Sequence, residues 1–359
     1  MTLDKILIVT PSLGNGGAER VSASLSKMLA EPSHVSILTA YDNLDYEFFG
    51  EHYSLGLKNG SNSIFKKFIA FLNWKKFIKK NEFDIIIDFR SRRNPLKEAI
   101  IFFVLYKKIN LKIYTVHNLV DYCFSPKFIQ NFIYRRALIV AVSNDIAKHF
   151  NSFLNSVYII KNAINFYEVE MQKEGSVKFE NPFVVAAGRM DDNIKRFDHV
   201  IKTYVNSQLP KAGVHLFILG DGKVKKELKE LVDQLKCSNL VHFEGFQQNP
   251  FKYFTKAQFF ILASRFEGFP MVLIEALACG TPVVSYDCPT GPSEIIQHEQ
   301  NGLLVENGNI HALTKAITRM HEDKELYKTC KLNAKKSVEH LSFENIKNQW
   351  KKLIESATA

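Results

Sequence analysis

Phe259-Phe260-Ile261-Leu262-Ala263-Ser264-Arg265-Phe266-Glu267-Gly268-Phe269-Pro270-Met271-Val272-Leu273-Ile274-Glu275-Ala276-Leu277-Ala278-Cys279-Gly280 reads as a strand, a turn and a helix in succession. The apolar run at 259–262 leads into a turn carrying Glu267. Pro270 opens the helix, because a first-turn proline lacks only an N–H that would be unpaired anyway, and Gly280 closes it. Between them Met271, Val272, Leu273, Ile274, Ala276, Leu277 and Ala278 leave no polar face, so Glu275 is the only charge on a helix buried nearly all round. A buried carboxylate needs a partner. In one reading Glu267 is a favourable anion near a helix N-terminus and Glu275 is half of an internal ion pair. In the other, Glu275 accepts from vicinal hydroxyls of a ligand, while Glu267 and the amides after it hold a second polar group.

The same alternation extends in both directions. Residues 6–9, 35–39, 84–89, 111–116, 137–142 and 157–160 read as strands, and a second series follows at 183–187, 215–219, 240–243, 258–262, 282–286 and 302–305. Continuous apolar strands separated by helices mean parallel sheets covered on both faces. Two series predict an α/β protein of two doubly wound, Rossmann-like domains, spanning 1–165 and 166–340. Their boundary falls in 163–181, where the hydrophobic rhythm lapses, and a mobile linker there would leave a ligand-binding cleft. Phe343, Ile346, Trp350 and Leu353 recur at helical spacing and predict that 341–359 docks as a helix.

At 359 residues and 46% hydrophobic content, the chain suits two separate cores. No apolar run reaches the ~18 residues that would span a bilayer, and the apolar run at 6–9 is too short for a signal peptide. Five dispersed cysteines without a Cys-x-x-Cys pair suit a reducing cytosol and argue against structural zinc. The net charge of +10 is uneven: residues 1–165 carry 22 Lys and Arg against 13 Asp and Glu, the remainder 25 against 24. Whatever the basic surface meets, the N-terminal half meets it.

After the first strand comes Gly14-Asn15-Gly16-Gly17-Ala18-Glu19-Arg20. Glu19 stands where a dinucleotide fingerprint requires glycine, and no P-loop follows. What remains is a glycine-rich turn whose N–H groups can approach a phosphate or a sugar, although a tight strand-to-helix turn wants glycine too. Its counterpart is Gly188-Arg189-Met190-Asp191-Asp192-Asn193-Ile194-Lys195-Arg196. Here a forked guanidinium at a strand end and a point charge one loop later suit two bridged phosphates, or are simply solvated loop cations.

Gly188-Arg189 with Lys195, the Glu267 and Glu275 element, Gly16-Gly17-Ala18-Glu19 and Thr290-Gly291-Pro292-Ser293-Glu294-Ile295-Ile296 together resemble a retaining family 4 glycosyltransferase of GT-B fold, of the type that builds bacterial surface polysaccharides. The resemblance covers essentially the whole chain. It implies that Arg189 and Lys195 hold the donor diphosphate in place of a metal, that Glu275 binds the ribose diol, and that Glu267 with Gly268, Phe269, Met271 and Val272 holds the transferred sugar. Gly16 and Gly17 would lie by the diphosphate, Gly245 and Phe246 by the nucleobase, and His117 near the donor sugar, unless it is an ordinary strand-end histidine. It further implies a C-terminal helix returning to the N-terminal domain and no cofactor. Arg196 stands where the family often has glycine, and Pro270 removes one amide that relatives offer the donor. The stretch from Cys288 to Ile296 is similar to relatives that use galactose-type donors.

The segment 65–80 mixes an apolar stripe with six lysines, Lys66, Lys67, Lys75 and Lys76 among them. It reads as a sheet-covering helix whose lysines are solvated or rest on anionic lipid. Arg90, Arg92 and Arg93 extend the positive face toward a lipid-diphosphate-linked acceptor, or are solvated. The reading is therefore a cytoplasmic, peripheral-membrane hexosyltransferase with a UDP-linked donor and a glycan or lipid-linked saccharide acceptor. A nucleotide-sugar epimerase and a non-catalytic polyanion-binding protein are the alternatives; no nucleic-acid motif accompanies the charge.

Overall fold

The computed structural model describes residues 4–358 except 15, 32, 59–62, 119–132, 152–156, 175–176, 178 and 192. The chain forms two compact units, Met1–Ala163 with Phe343–Ala359, and Ile164–Ser342.

The first unit is built on seven parallel strands: β1 (Lys5–Thr10), β2 (His34–Tyr41), β3 (Glu51–Leu57), β4 (Ile85–Asp88), β5 (Leu111–Val116), β6 (Leu138–Ala141) and β7 (Val157–Ile159). Their order is β3-β2-β1-β4-β5-β6-β7. The centre is apolar on both faces, so Ile6, Leu7, Ile8 and Val9 of β1 are all buried; each such side chain contributes roughly 1.5–3 kcal/mol. β3 has no counterpart in the sequence reading. It is an edge strand whose residues are half-buried or exposed, so it lacks the apolar run that marks the others.

The second unit carries β8 (Phe183–Ala187), β9 (His215–Leu219), β10 (Val241–Gly245), β11 (Phe260–Leu262), β12 (Val283–Asp287) and β13 (Gly302–Glu306) in the order β10-β9-β8-β11-β12-β13. All pairings are parallel. Both units are thus doubly wound, as the alternation of strands and helices predicted. The strand order reverses between β1 and β4 and between β8 and β11, the positions at which such sheets bind ligands beyond their carboxyl ends.

One segment departs from expectation. Phe166–Gln172, read as linker, is a helix capped by the Asn165 side chain. Lys335 donates to Glu170 at 2.7 Å and Asn249 Nδ2 donates to the Gln172 carbonyl at 2.8 Å, so this segment is built into the second unit. The final helix, Phe343–Thr358, buries Ile346, Trp350, Leu353 and Ile354, as its spacing implied, and packs on the helix Gly17–Leu29 of the first unit, as the resemblance implied. No helix among the described residues is long and apolar enough to cross a membrane. Cys123 lies outside the described residues.

Candidate active site

The loops leaving β8 and β11 start from paired strands, so the topology sets their contents side by side. Gly188 follows β8 and, without a side chain, lets the aliphatic stem of Lys195 lie across it; a Cβ there would sit 3.4 Å from Lys195 Cγ and Cδ. Lys195 Nζ then reaches the β11 loop and donates to Glu267 Oε1 at 2.6 Å, and Ser264 Oγ donates to the same oxygen at 2.6 Å. The side chains are 22% and 10% exposed, so the pair is shielded yet open at one side. Glu267 Oε2 is left for a further donor. Arg189, next in the chain after Gly188, is exposed and makes no ion pair among the described residues.

The helix after the β11 loop, Met271–Ala278, has Leu273 to Ala278 all buried, including Glu275 at 2% exposure. Glu275 lies near Cys279, whose thiol is pushed up to about 12, chiefly by burial. Pro270 stands at the cap position, one residue outside the helix it was expected to begin. No side chain caps this start, and the Leu273 N–H donates to the Pro270 carbonyl at 3.1 Å. At the other end Gly280, at φ 78°, donates to the Leu277 carbonyl and Thr281 donates to that of Ala276, the paired bonds of a glycine-terminated helix.

Sequence reading gave no individual role to several residues that shape this loop cluster. Thr290 holds φ at 63°, an outlier for a β-branched residue that survives only where the surroundings impose it. Its hydroxyl donates to the Glu267 carbonyl, while the Glu267 N–H donates to the Pro289 carbonyl at 3.3 Å. A Cβ on Gly220 would overlap the Gly188 carbonyl oxygen, and one on Gly222 would overlap the Met190 carbonyl carbon. This Gly-Asp-Gly turn therefore packs backbone against backbone on the loop that carries Arg189, and Met190 N–H donates to the Asp221 carbonyl at 2.9 Å. Two glycines directly after a strand were the available signal. Asn307 links the two loops: Arg196 Nη1 donates to its Oδ1 at 3.0 Å, and its Nδ2 donates to the Arg265 carbonyl at 3.2 Å. Nothing in an isolated loop asparagine announces that role.

Gly245, at φ 72°, accepts from Gly220 N–H at 2.7 Å, which sets the next residue, Phe246, beside this cluster with 48% of its surface exposed. Gly188, Arg189, Lys195, Gly245, Phe246, Glu267, Gly268, Phe269, Met271, Val272 and Glu275 all belong to the second unit. His117, Gly16 and Gly17 belong to the first. Gly17 opens the helix after β1, and a Cβ there would meet nothing within 4 Å, so packing does not demand glycine at that position. His117 follows β5 and stacks on Phe89 at 5.0 Å. Burial, and then Arg92, hold its imidazole far down, at about 3. At neutral pH it is therefore a neutral ring.

The arginines expected on the basic face are a correction. Arg90 is bound to Asp88 at 2.6 Å and to Glu98 at 3.3 Å, and lies over the Trp74 ring. Arg92 is fully buried, donating to the carbonyls of Asp88 and Thr115 and lying 4.4 Å from the Tyr114 ring centre. Burial pushes the Asp88 carboxyl up, but the two guanidiniums outweigh it and hold it below its ordinary value. The sequence reading saw three cations after a strand, but not the buried aspartate and glutamate that draw two of them inward. Arg93 and Lys66, Lys67, Lys75 and Lys76 are exposed.

A family model described as Glycosyl transferases group 1 matches residues 168–337. A Campylobacter jejuni protein named N-acetylgalactosamine-N,N'-diacetylbacillosaminyl-diphospho-undecaprenol 4-alpha-N-acetylgalactosaminyltransferase is 30% identical, over 93% of this chain and 94% of its own. A second from that organism, GalNAc-alpha-(1->4)-GalNAc-alpha-(1->3)-diNAcBac-PP-undecaprenol alpha-1,4-N-acetyl-D-galactosaminyltransferase, is 28% identical over 98% of each chain. Among solved structures, Anabaena HepE in complex with UDP-glucose matches with a TM-score of 0.79 at 19% identity, covering 98% of this chain and 99% of that one.

Proposed function

We propose, from the premise that this chain belongs to the group 1 glycosyl transferases and has their GT-B fold, that it moves a hexose or N-acetylhexosamine from a UDP-sugar, with retention, to a lipid-linked saccharide during surface polysaccharide synthesis. The observation that carries this reading is the Lys195 to Glu267 contact, in the loop that also carries Arg189, at the β8 and β11 switch point. A nucleotide sugar presents a diphosphate and a sugar within one molecule, and this loop cluster presents cations and a carboxylate within one site. Arg189 and Lys195 hold the diphosphate, Glu275 the ribose diol, and Glu267 with the first amides of the Met271–Ala278 helix the sugar hydroxyls. Phe246 offers an exposed ring to the base.

The chemistry follows from where charge develops. Breaking the anomeric bond adds a third negative charge to a diphosphate that already carries two, and fixed cations that bind it more tightly as charge grows lower the barrier. Arg189 and Lys195 do this without a metal. The departing diphosphate takes the proton of the acceptor hydroxyl as that oxygen attacks on the same face. Glu267, already engaged by Lys195 and Ser264, serves the sugar and is no nucleophile. Both Campylobacter relatives are named as alpha transferases acting on diphospho-undecaprenol or PP-undecaprenol saccharides. That supports retention, an N-acetylhexosamine donor and a polyprenyl-diphosphate acceptor, which an enzyme on the cytoplasmic face of the membrane would meet. The galactose-type donor stays within the same sugar series.

The deciding experiment incubates the protein with UDP-N-acetylgalactosamine, with and without a polyprenyl-diphosphate saccharide, and follows products by mass spectrometry. An extended saccharide formed only with acceptor is expected, and Arg189→Ala should lower kcat/KM by about 10²–10³-fold while its melting curve stays in place. A new nucleotide sugar formed without acceptor would instead make the protein an epimerase.

A further inference from the structure

The helix Ile64–Asn81 has two apolar faces, and the sheet uses one. Its buried residues are Ala70, Trp74 and Ile78, which repeat every four residues along a single stripe. Ile64, Phe65, Phe68, Ile69 and Leu72 lie on the opposite arc and are 84%, 71%, 57%, 41% and 46% exposed. The expectation that the apolar side of this segment covers the sheet holds for the first stripe and fails for the second. Beside it, Pro95–Ile100 and the π-helix Ile101–Leu105 expose Leu96, Ile100, Phe103 and Val104, and the π-helix packs on Ile64–Asn81. Nine of the seventeen large apolar side chains exposed among the described residues fall in these segments. So dense an exposed apolar surface marks a docking face.

We infer that this face inserts into the headgroup layer of an anionic bilayer, with Ile64, Phe65, Phe68, Ile69 and Leu72 as the inserted wedge and the lysines of the same helix as its electrostatic collar. The inference deepens the reading above, on which it rests, by naming the surface through which the enzyme meets the membrane of a lipid-linked acceptor. Charge selects the occupant. Residues 64–81 contain six lysines and no aspartate or glutamate, and Lys75, Lys76, Lys79 and Lys80 continue the arc of the exposed apolar residues further along the helix. A second copy docked symmetrically would set lysines against lysines. A nucleic-acid surface would leave the phenylalanines and isoleucines without apolar partners. An anionic interface satisfies both, since apolar side chains sink to the acyl boundary while lysines reach the headgroups.

The test is co-sedimentation of the full chain with vesicles of 70:30 phosphatidylcholine to phosphatidylglycerol and of phosphatidylcholine alone, at low and high salt. Binding to the anionic vesicles at low salt is expected. Phe65→Glu with Phe68→Glu should lower the partition coefficient at least tenfold, and Lys75→Gln with Lys76→Gln should lower it less. A Phe68→Trp variant should show fluorescence quenching by brominated lipid beyond that of the unaltered protein. Because these side chains are exposed, the melting temperature and its shift with UDP should stay as in the unaltered protein. That shift keeps the two readings separable: UDP binding without vesicle binding overturns this inference alone, and vesicle binding without UDP binding overturns the enzyme reading alone. Unchanged partition of the double glutamate variant, no added quenching in the Phe68→Trp variant, or a dimer in light scattering that the glutamates abolish would each overturn the inserted wedge.

Discussion

A single carboxylate illustrates how much environment adds to identity. Glu275 is a helix-favouring residue buried to 2% exposure on an otherwise apolar helix, and the proposed donor diol gives that burial a purpose. Glu275→Gln keeps the shape and removes the charge. It should weaken UDP binding by about 10–100-fold, the loss of hydrogen bonds to an ionised acceptor, with little change in melting temperature; calorimetric titration with UDP decides it, and equal affinity in the variant would return Glu275 to a purely internal role. His117 makes a prediction about pH. Its folded value, about 3, lies below the ordinary value of 6.5. The unfolded chain therefore takes up the proton first, and this residue's contribution to stability is complete above about pH 6.5 and lost as pH falls toward 3. Denaturant unfolding at pH 7.5 and pH 5 should show that loss, and His117→Asn should reduce it. An undiminished difference in the variant would assign the acid sensitivity elsewhere.

At the level of elements, the loops after β8, β9 and β11 act as one assembly. Gly220 permits the close approach of its turn to the Gly188 carbonyl, and its φ of 129° is one that side chains rarely adopt. Gly220→Ala should therefore destabilise the protein by about 2–4 kcal/mol and also weaken UDP binding, because the turn it would displace supports the Arg189 loop. Thermal unfolding with and without UDP measures both effects; a stable variant with intact binding would show that the turn has room to shift. The twelve strands read from the apolar runs needed only small boundary changes, and 111–116, 183–187 and 215–219 needed none. The predicted strand at 258–262 shortened most in proportion, to Phe260–Leu262. β3 escaped because an edge strand need not be apolar. The Phe166–Gln172 helix escaped because its stability comes from Lys335 and Asn249, distant in sequence.

For the whole molecule, the reading assigns the neutralisation of the leaving diphosphate to side chains, so turnover should be unchanged after treatment with EDTA; activity lost to the chelator and restored by magnesium would contradict it. The two doubly wound sheets, the docking of the last helix and the placement of Arg189, Lys195 and Glu267 in loops at strand ends were determined by the sequence itself. Apolar periodicity and glycine position are local properties, visible along a chain. That Lys195 meets Glu267 across 72 residues, that Arg90 and Arg92 turn inward to Asp88, and that the second apolar face of Ile64–Asn81 points outward were decided by the tertiary structure alone. The energy of a charge depends on its distance from a partner and on the surrounding dielectric, and the fate of an apolar face depends on which strands and helices become its neighbours.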